Sequence, residues 1–392
     1  MPYYRRVGDV PRKRHTLHRG ADGSIQPEEL MGVEGFSSAS SLLYHRLSPS
    51  AIVAAEPVAD QEPLATPNEP LLPHHLRTPD LPSGGDLVSG RHRLLANADV
   101  AVSFAAAKET SGLYRDASGD ELVYVQSGSG VLESVFGRLE VSAGDYVVIP
   151  MSTTHRWVVA GSELLTAMIF ATAGHVQPPS KYLTSQGQLL EGAPYSERDQ
   201  RGPDGLVQED GEDVEVLVRH RGGMTRYTYA HHPFDLVGWD GCLYPWALSI
   251  HDFEPIVGRI HQPPPVHQTF AAPNLVFCSF VPRLFDTDPN AVKIPYHHAN
   301  VDSDEVLFYS AGNFMSRAGS GIGMGSISLH PAGFVHGPQP GSLERSMDQD
   351  HTEELAVMLD TFRPLGLTDA ARSVSDPDYP WSWSGGRSLS PG

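Results

Sequence analysis

Two twelve-residue stretches decide how this chain reads: GDYVVIPMSTTH, Gly144–His155, and GSISLHPAGFVH, Gly325–His336. In each, proline follows glycine by six positions and histidine follows proline by five. An earlier pair matches too. GDELVYVQSGSG places Glu121 seven residues before Gly128, and SDEVLFYSAGNF places Glu305 seven residues before Gly312. The glutamates lie 184 positions apart and the histidines 181. Five paired positions at a nearly constant offset mark an internal duplication.

Short apolar runs surround both copies. ELVYV, VLESVFGRLEV, DYVVIP, RWVVA and LLTAMIF flank the first; NLVFCSFVP, EVLFYSAG, GSISLHP and ELAVMLDTF flank the second. Turn residues separate them, which is the pattern of a β-sandwich or barrel. The 38 glycines and 33 prolines supply those turns and argue against long helices. The spacing resembles the two motifs of the cupin superfamily. That implies an all-β bicupin: two jelly-roll barrels, each a double-stranded β-helix, with an irregular N-terminal arm. Residues 1–97 are expected to be the arm, with a Pro-rich linker at 51–95. Residues 98–225 should form the first barrel, 226–380 the second, and 381–392 a tail.

Composition narrows the function. The 392 residues suffice for one or two full cores, since domains run to about 100–200 residues. Lys and Arg number 28 against 47 Asp and Glu, a net charge of −19. Such a chain repels phosphate backbones, so nucleic acid is not an expected partner. A basic run near the start, RRVGDVPRKRHTLHR, reads as a solvated segment. No secretory leader and no membrane-spanning run is visible. The two cysteines, Cys242 and Cys278, exclude a disulfide framework and a Cys-rich zinc site, and they suggest a reducing, cytoplasmic setting.

The two copies differ in their chemistry. The first, LYRDASGDE, has no histidine ahead of Glu121, so Glu121 and His155 read as remnants on a scaffold. The second, YHHANVDSDEVLFYSAG (residues 296–312), offers His298 and Glu305, with His336 downstream. Two histidines and one carboxylate form the facial set of non-haem Fe(II) oxygenases, which leaves coordination sites open. His297 is expected to point away from His298 along an extended chain. Asp304 is the alternative to Glu305, since one residue of slip exchanges them. His330, six residues before His336, could orient ligand or substrate, or simply pack.

Longer stretches carry a more specific resemblance. PYYRRVGDVPRKRHT, EELMGVEGFSSASSLLYHR, VGWDGCLYPW, IPYHHANVDSDE and LHPAGFVHGP are similar to segments of the homogentisate dioxygenases. The resemblance implies Fe(II)-dependent cleavage of a hydroquinone ring between adjacent carbons, with both atoms of O₂ inserted. Homogentisate would become maleylacetoacetate, a step of tyrosine and phenylalanine breakdown. It implies a small aromatic acid and O₂ as partners, and a homo-oligomer of three or six chains. It also implies a catalytic histidine upstream of the metal segment, for which GRIHQPPPVHQTF offers His261 first and His267 second. Substrate contacts are expected from Tyr309, Phe314, His330 and His336. Phe314 stands where many members have tyrosine, which leaves gentisate or another substituted hydroquinone as an alternative substrate. A metal-binding bicupin that is not an oxygenase is the alternative of a different class.

Overall fold

The computed structural model describes residues 3–59, 62–259 and 261–385. Strand after strand follows, with two five-residue α-helices, Ser342–Ser346 and Asp369–Ser373, among the described residues. The first barrel sets an eight-stranded sheet against a seven-stranded one. The second is built on a six-stranded sheet, in the order Gln268–Ala272, Leu275–Phe280, Leu355–Thr361, Asp304–Ala311, Ser326–His330 and His74–Arg77. A two-stranded ribbon, Arg283–Leu284 with His351–Thr352, stands apart from that sheet.

Alternation along two matching strands explains how the barrels meet. In Glu121–Ser127, Leu122 and Tyr124 belong to the largest core cluster; in Asp304–Ala311, Val306 and Phe308 do. The rings of Tyr124 and Phe308 are 6.2 Å apart. Because side chains alternate faces, the odd-numbered residues of each strand turn into their own barrel. Val123 and Val125 enter a packed interior with Leu132, Trp157 and Ile169. Glu305, Leu307 and Tyr309 enter the other. The first barrel is filled by packed apolar side chains, whereas the second encloses a cavity of about 840 Å³.

The repeated glycines have a steric reason. Gly128 and Gly312 end these strands at φ of 79° and 89°, where L-residues are strained. A Cβ at either would overlap a carbonyl oxygen, that of Leu164 or of Glu353.

The N-terminal arm stitches the parts together. It contributes Arg5–Gly8, Glu28–Gly32 and Ser40–His45 to a four-stranded sheet completed by Leu236–Gly241. Its Pro-rich part supplies Ile52–Val58 and His92–Ala96 to the first barrel and His74–Arg77 to the second. The boundary expected at 225/226 falls inside a structural unit. Gly223–Tyr229 and Trp246–Ser249 both hydrogen-bond into the first barrel's sheets, because their pairing partners, Val214–His220 and Asp145–Ile149, lie there.

His45 anchors the arm with a charge. Its Nδ1–H donates to Asp235 at 2.6 Å and its Nε2–H to Glu29 at 3.0 Å. Burial alone would lower its pKa, but the two carboxylates outweigh burial and raise it to about 9. The folded pKa therefore lies above the unfolded value near ~6.5. Its stabilisation is complete below pH ~6.5 and is lost as pH rises through about 9. The difference corresponds to about 3 kcal/mol. We expect the urea midpoint to fall between pH 7 and pH 9.5, and His45→Gln to flatten that slope. An unchanged slope in the variant would show that His45 is not the titrating group.

Candidate metal centre

Register builds the site. Glu305 pairs across the sheet with His330 on one side and with Asp360 on the other. Cross-strand partners share a face, so these three groups sit together on the barrel's inner wall. His298 and His336 come from outside the regular strands and form an isolated antiparallel bridge. Each donates its backbone N–H to the other's carbonyl, at 2.8 and 2.9 Å. The structure thus brings His298, Glu305 and His336 together, with one candidate ligand atom from each lying within 4.8 Å of the others.

The tautomers suit ligation. His298 Nδ1 lies 3.0 Å from the Tyr296 carbonyl, and His336 Nδ1 lies 3.0 Å from that of Phe334. A carbonyl only accepts, so each Nδ1 carries a hydrogen and Nε2 is the nitrogen left to face a metal. His298 Nε2 is 3.6 Å from Glu305, and His336 Nε2 is 3.2 Å from it. His336 Nε2 is buried and hydrogen-bonded to nothing. Burial would raise the pKa of Glu305; the imidazoles of His298, His330 and His336 outweigh that and hold it well below the usual carboxylate range. An ionised carboxylate beside two imidazole lone pairs fits a divalent transition metal.

Alternation separates Glu305 from Asp304. Asp304 faces the other way, accepting the N–H groups of Ala332 at 2.8 Å and Leu365 at 2.7 Å. His297 packs against Gly337, and its ring also lines the cavity. His330 is fully buried. It stacks on His336 with ring centroids 3.9 Å apart and lies 2.9 Å from Glu305. Burial pushes its pKa down to about 3. Asp360 accepts from Asn300 at 2.9 Å, and burial, then the nearby Glu305 charge, pushes its pKa up to about 7.

The remaining expected residues divide between the cavity and its backing. His261 and His267 both line it. His261 is exposed, with its ring 5.8 Å from Tyr296. His267 is buried against Phe280, and burial together with Arg283 lowers its pKa to about 3. Tyr309 and Phe314 stand behind the lining, packed edge to face at 4.9 Å. The Tyr309 hydroxyl is engaged by Ser328 at 3.1 Å and accepts from Arg317 Nε at 3.0 Å.

Sequence reasoning missed Arg317, a buried cation in the cavity wall. It follows the second-copy glycine by five residues, and nothing in the motif spacing singled it out. It also missed Trp383, which lines the cavity from within the expected tail. Residues 379–384 form a short 3₁₀ turn instead, while 386–392 lie outside the described residues.

In the first barrel the same positions are used differently. His155 repeats the pose of His336, with Nδ1 3.0 Å from Thr153 O and a buried, unpartnered Nε2. Glu121 is bound by both terminal nitrogens of Arg91, one of them at 3.0 Å. Tyr114, which pairs with His155 as His298 pairs with His336, takes the place of His298 here, and the Arg91 guanidinium lies 5.5 Å from the centre of its ring.

Residues 39–250 match the family described as homogentisate 1,2-dioxygenase N-terminal, and residues 251–389 match its C-terminal counterpart. The chain is 39% identical over 388 residues to a candidate dioxygenase of Saccharolobus solfataricus, covering 98% of this chain and 99% of that one. It is 24% identical over 289 residues to homogentisate 1,2-dioxygenase of Bradyrhizobium diazoefficiens, covering 69% of this chain and 62% of that one. Among solved structures, a cupin 2 conserved barrel domain protein from Leptotrichia buccalis covers 74% of this chain and 96% of its own, with TM-score 0.35 and 12% identity. No described helix is long and apolar enough to cross a membrane.

Proposed function

Because the chain belongs to the homogentisate 1,2-dioxygenase family, we propose that it cleaves the ring of a carboxylate-bearing hydroquinone with Fe(II) and O₂, and that homogentisate is the substrate. The carrying observation is the convergence of His298, Glu305 and His336 beside a cavity of about 840 Å³. These residues would hold the iron. Bound there, the metal would supply a Lewis acid and a one-electron centre for O₂ chemistry. The overall reaction balances: one homogentisate and one O₂ give one maleylacetoacetate, with both oxygen atoms in the product.

The chain's own residues have distinct tasks in this reading. Arg317 has Tyr309 on its Nε and the Gly337 carbonyl on Nη1, at 3.0 and 2.9 Å. Held in that way, the cation is positioned to attract the substrate carboxylate without swinging toward Glu305. His261 is assigned as the base that takes the ring hydroxyl proton. His267 is the weaker candidate, because a base whose pKa is pushed to about 3 has little proton affinity at neutral pH. Phe314 and the engaged Tyr309 hydroxyl, both behind the lining, offer no phenol to the substrate from their side of the cavity. Gentisate therefore remains the second substrate to test. A cytoplasmic location and a homo-oligomer belong to the same reading.

The test is oxygen uptake after anaerobic loading with Fe(II), on homogentisate and gentisate in parallel, for wild type and His261→Ala. We expect one O₂ per homogentisate, and a 10²–10⁴-fold slower variant that still binds iron. Uptake with gentisate alone would change the substrate and keep the reaction. No uptake on either, with iron bound, would reject the proposal, and an undiminished His261→Ala would remove the base.

A further inference from the structure

Tyr379 and Trp383, distant in sequence from the ligand segments, reach the metal centre through the 3₁₀ turn Tyr379–Ser384. Tyr379 is 1% exposed, and its hydroxyl lies 2.9 Å from His330 Nε2. The other nitrogen of His330 lies 2.9 Å from Glu305 Oε1. With Glu305 ionised and His330 neutral, one proton arrangement satisfies this row. An ionised Glu305 can only accept, so His330 Nδ1 must donate. A neutral imidazole that donates from Nδ1 accepts at Nε2, and Tyr379 is then the donor. The chain of donors runs from Tyr379 to His330 to Glu305.

The turn is held on the cavity independently of that row. Trp383 Nε1 donates to the Gly337 carbonyl at 3.1 Å, and Arg317 Nη1 donates to the same oxygen at 2.9 Å. Gln339 donates to Ser382 at 2.9 Å. The Trp383 ring stands 5.3 Å from Tyr379 and 6.1 Å from Phe334. The residues that fix the turn are thus neighbours of His336 along the chain or of the cavity cation in space.

We propose that the C-terminal turn is a working part of the metal centre, with Tyr379 as a positioning residue that orients Glu305 through His330. This rests on the reading of His298, Glu305 and His336 as the metal set. Outer partners of this kind fix the tautomer and rotamer of the groups they touch, and losing one costs about 10–100-fold in metal affinity or activity. Without the Tyr379 hydroxyl, His330 loses its donor and is free to present its other tautomer. That tautomer turns a lone pair toward the carboxylate and pushes it out of place.

The experiment titrates metal-free protein with Co(II), following the visible d–d bands, for wild type, Tyr379→Phe and Glu305→Gln. Phenylalanine keeps the ring packed against Trp383 and removes only the hydroxyl. We expect Tyr379→Phe to bind Co(II) 10–100-fold more weakly with an altered band pattern, and its Fe(II) form to lose kcat with little change in KM. Wild-type affinity and bands in Tyr379→Phe would overturn the proposal. Should that variant fold poorly, His330→Phe replaces it, with the same expected and overturning results. Glu305→Gln separates the two readings: if it too binds Co(II) like wild type, the metal set itself is misassigned.

Discussion

Glu305→Gln is expected to leave a folded protein that no longer retains Fe(II) and consumes no oxygen. Glutamine preserves the shape of the side chain and removes its charge. Glu305 is the one carboxylate among the three converging groups, and three imidazoles hold it ionised. A neutral amide oxygen is a far weaker ligand for a hard-to-borderline divalent ion than a carboxylate. The loss of affinity should exceed the ~10–100-fold typical of losing only an outer partner. Two imidazoles alone, one of them on the half-buried His298, would not hold the metal through gel filtration. The fold should survive, because the strand's core contacts come from Val306 and Phe308 on its other face. Iron content by atomic absorption and an unfolding curve of the metal-free protein check both halves. Stoichiometric iron in the variant would remove Glu305 from the metal set.

Arg91→Met is expected to destabilise the protein by about 3–5 kcal/mol, the usual cost of removing one partner from a buried ion pair. Glu121 is 1% exposed and has both carboxylate oxygens on Arg91. Methionine nearly matches the length of the arginine stem, so the loss is chiefly electrostatic. Arg91 also donates to the Leu87 carbonyl at 2.6 Å and stands 5.5 Å from the centre of the Tyr114 ring. The double change Arg91→Met with Glu121→Gln should recover much of the deficit, since it removes the uncompensated charge. Urea denaturation of both variants measures this. A single variant as stable as wild type would show that the pair is not what satisfies Glu121. The guanidinium explains how a barrel can keep a motif glutamate and histidine without serving as a second metal centre.

Much of the architecture is legible in one dimension because its causes are local. Strand runs, turn glycines and prolines, and the duplicated Glu–Gly and Gly–Pro–His intervals are set by neighbouring residues. They suffice to propose two barrels, and to mark the second copy as the one with histidine on both sides of its glutamate. Gly312 shows why such intervals persist: a positive φ and a carbonyl against its α-carbon leave no room for a side chain.

What only the tertiary structure decided concerns faces and distant partners. Whether Asp304 or Glu305 looks inward depends on which side of a strand meets the neighbouring barrel, and a one-residue slip would reverse it. Tyr309 is placed behind the cavity wall, and Arg317 in it, by the packing of the segment after Gly312. Glu121 finds its counter-ion 30 residues upstream, and His330 finds its donor 49 residues downstream. The sequence alone determined which chemical groups each barrel has available. The sheet register and long-range packing determined which of those groups face one another, because a carboxylate's partner is chosen by proximity in space, and spacing along the chain does not report it.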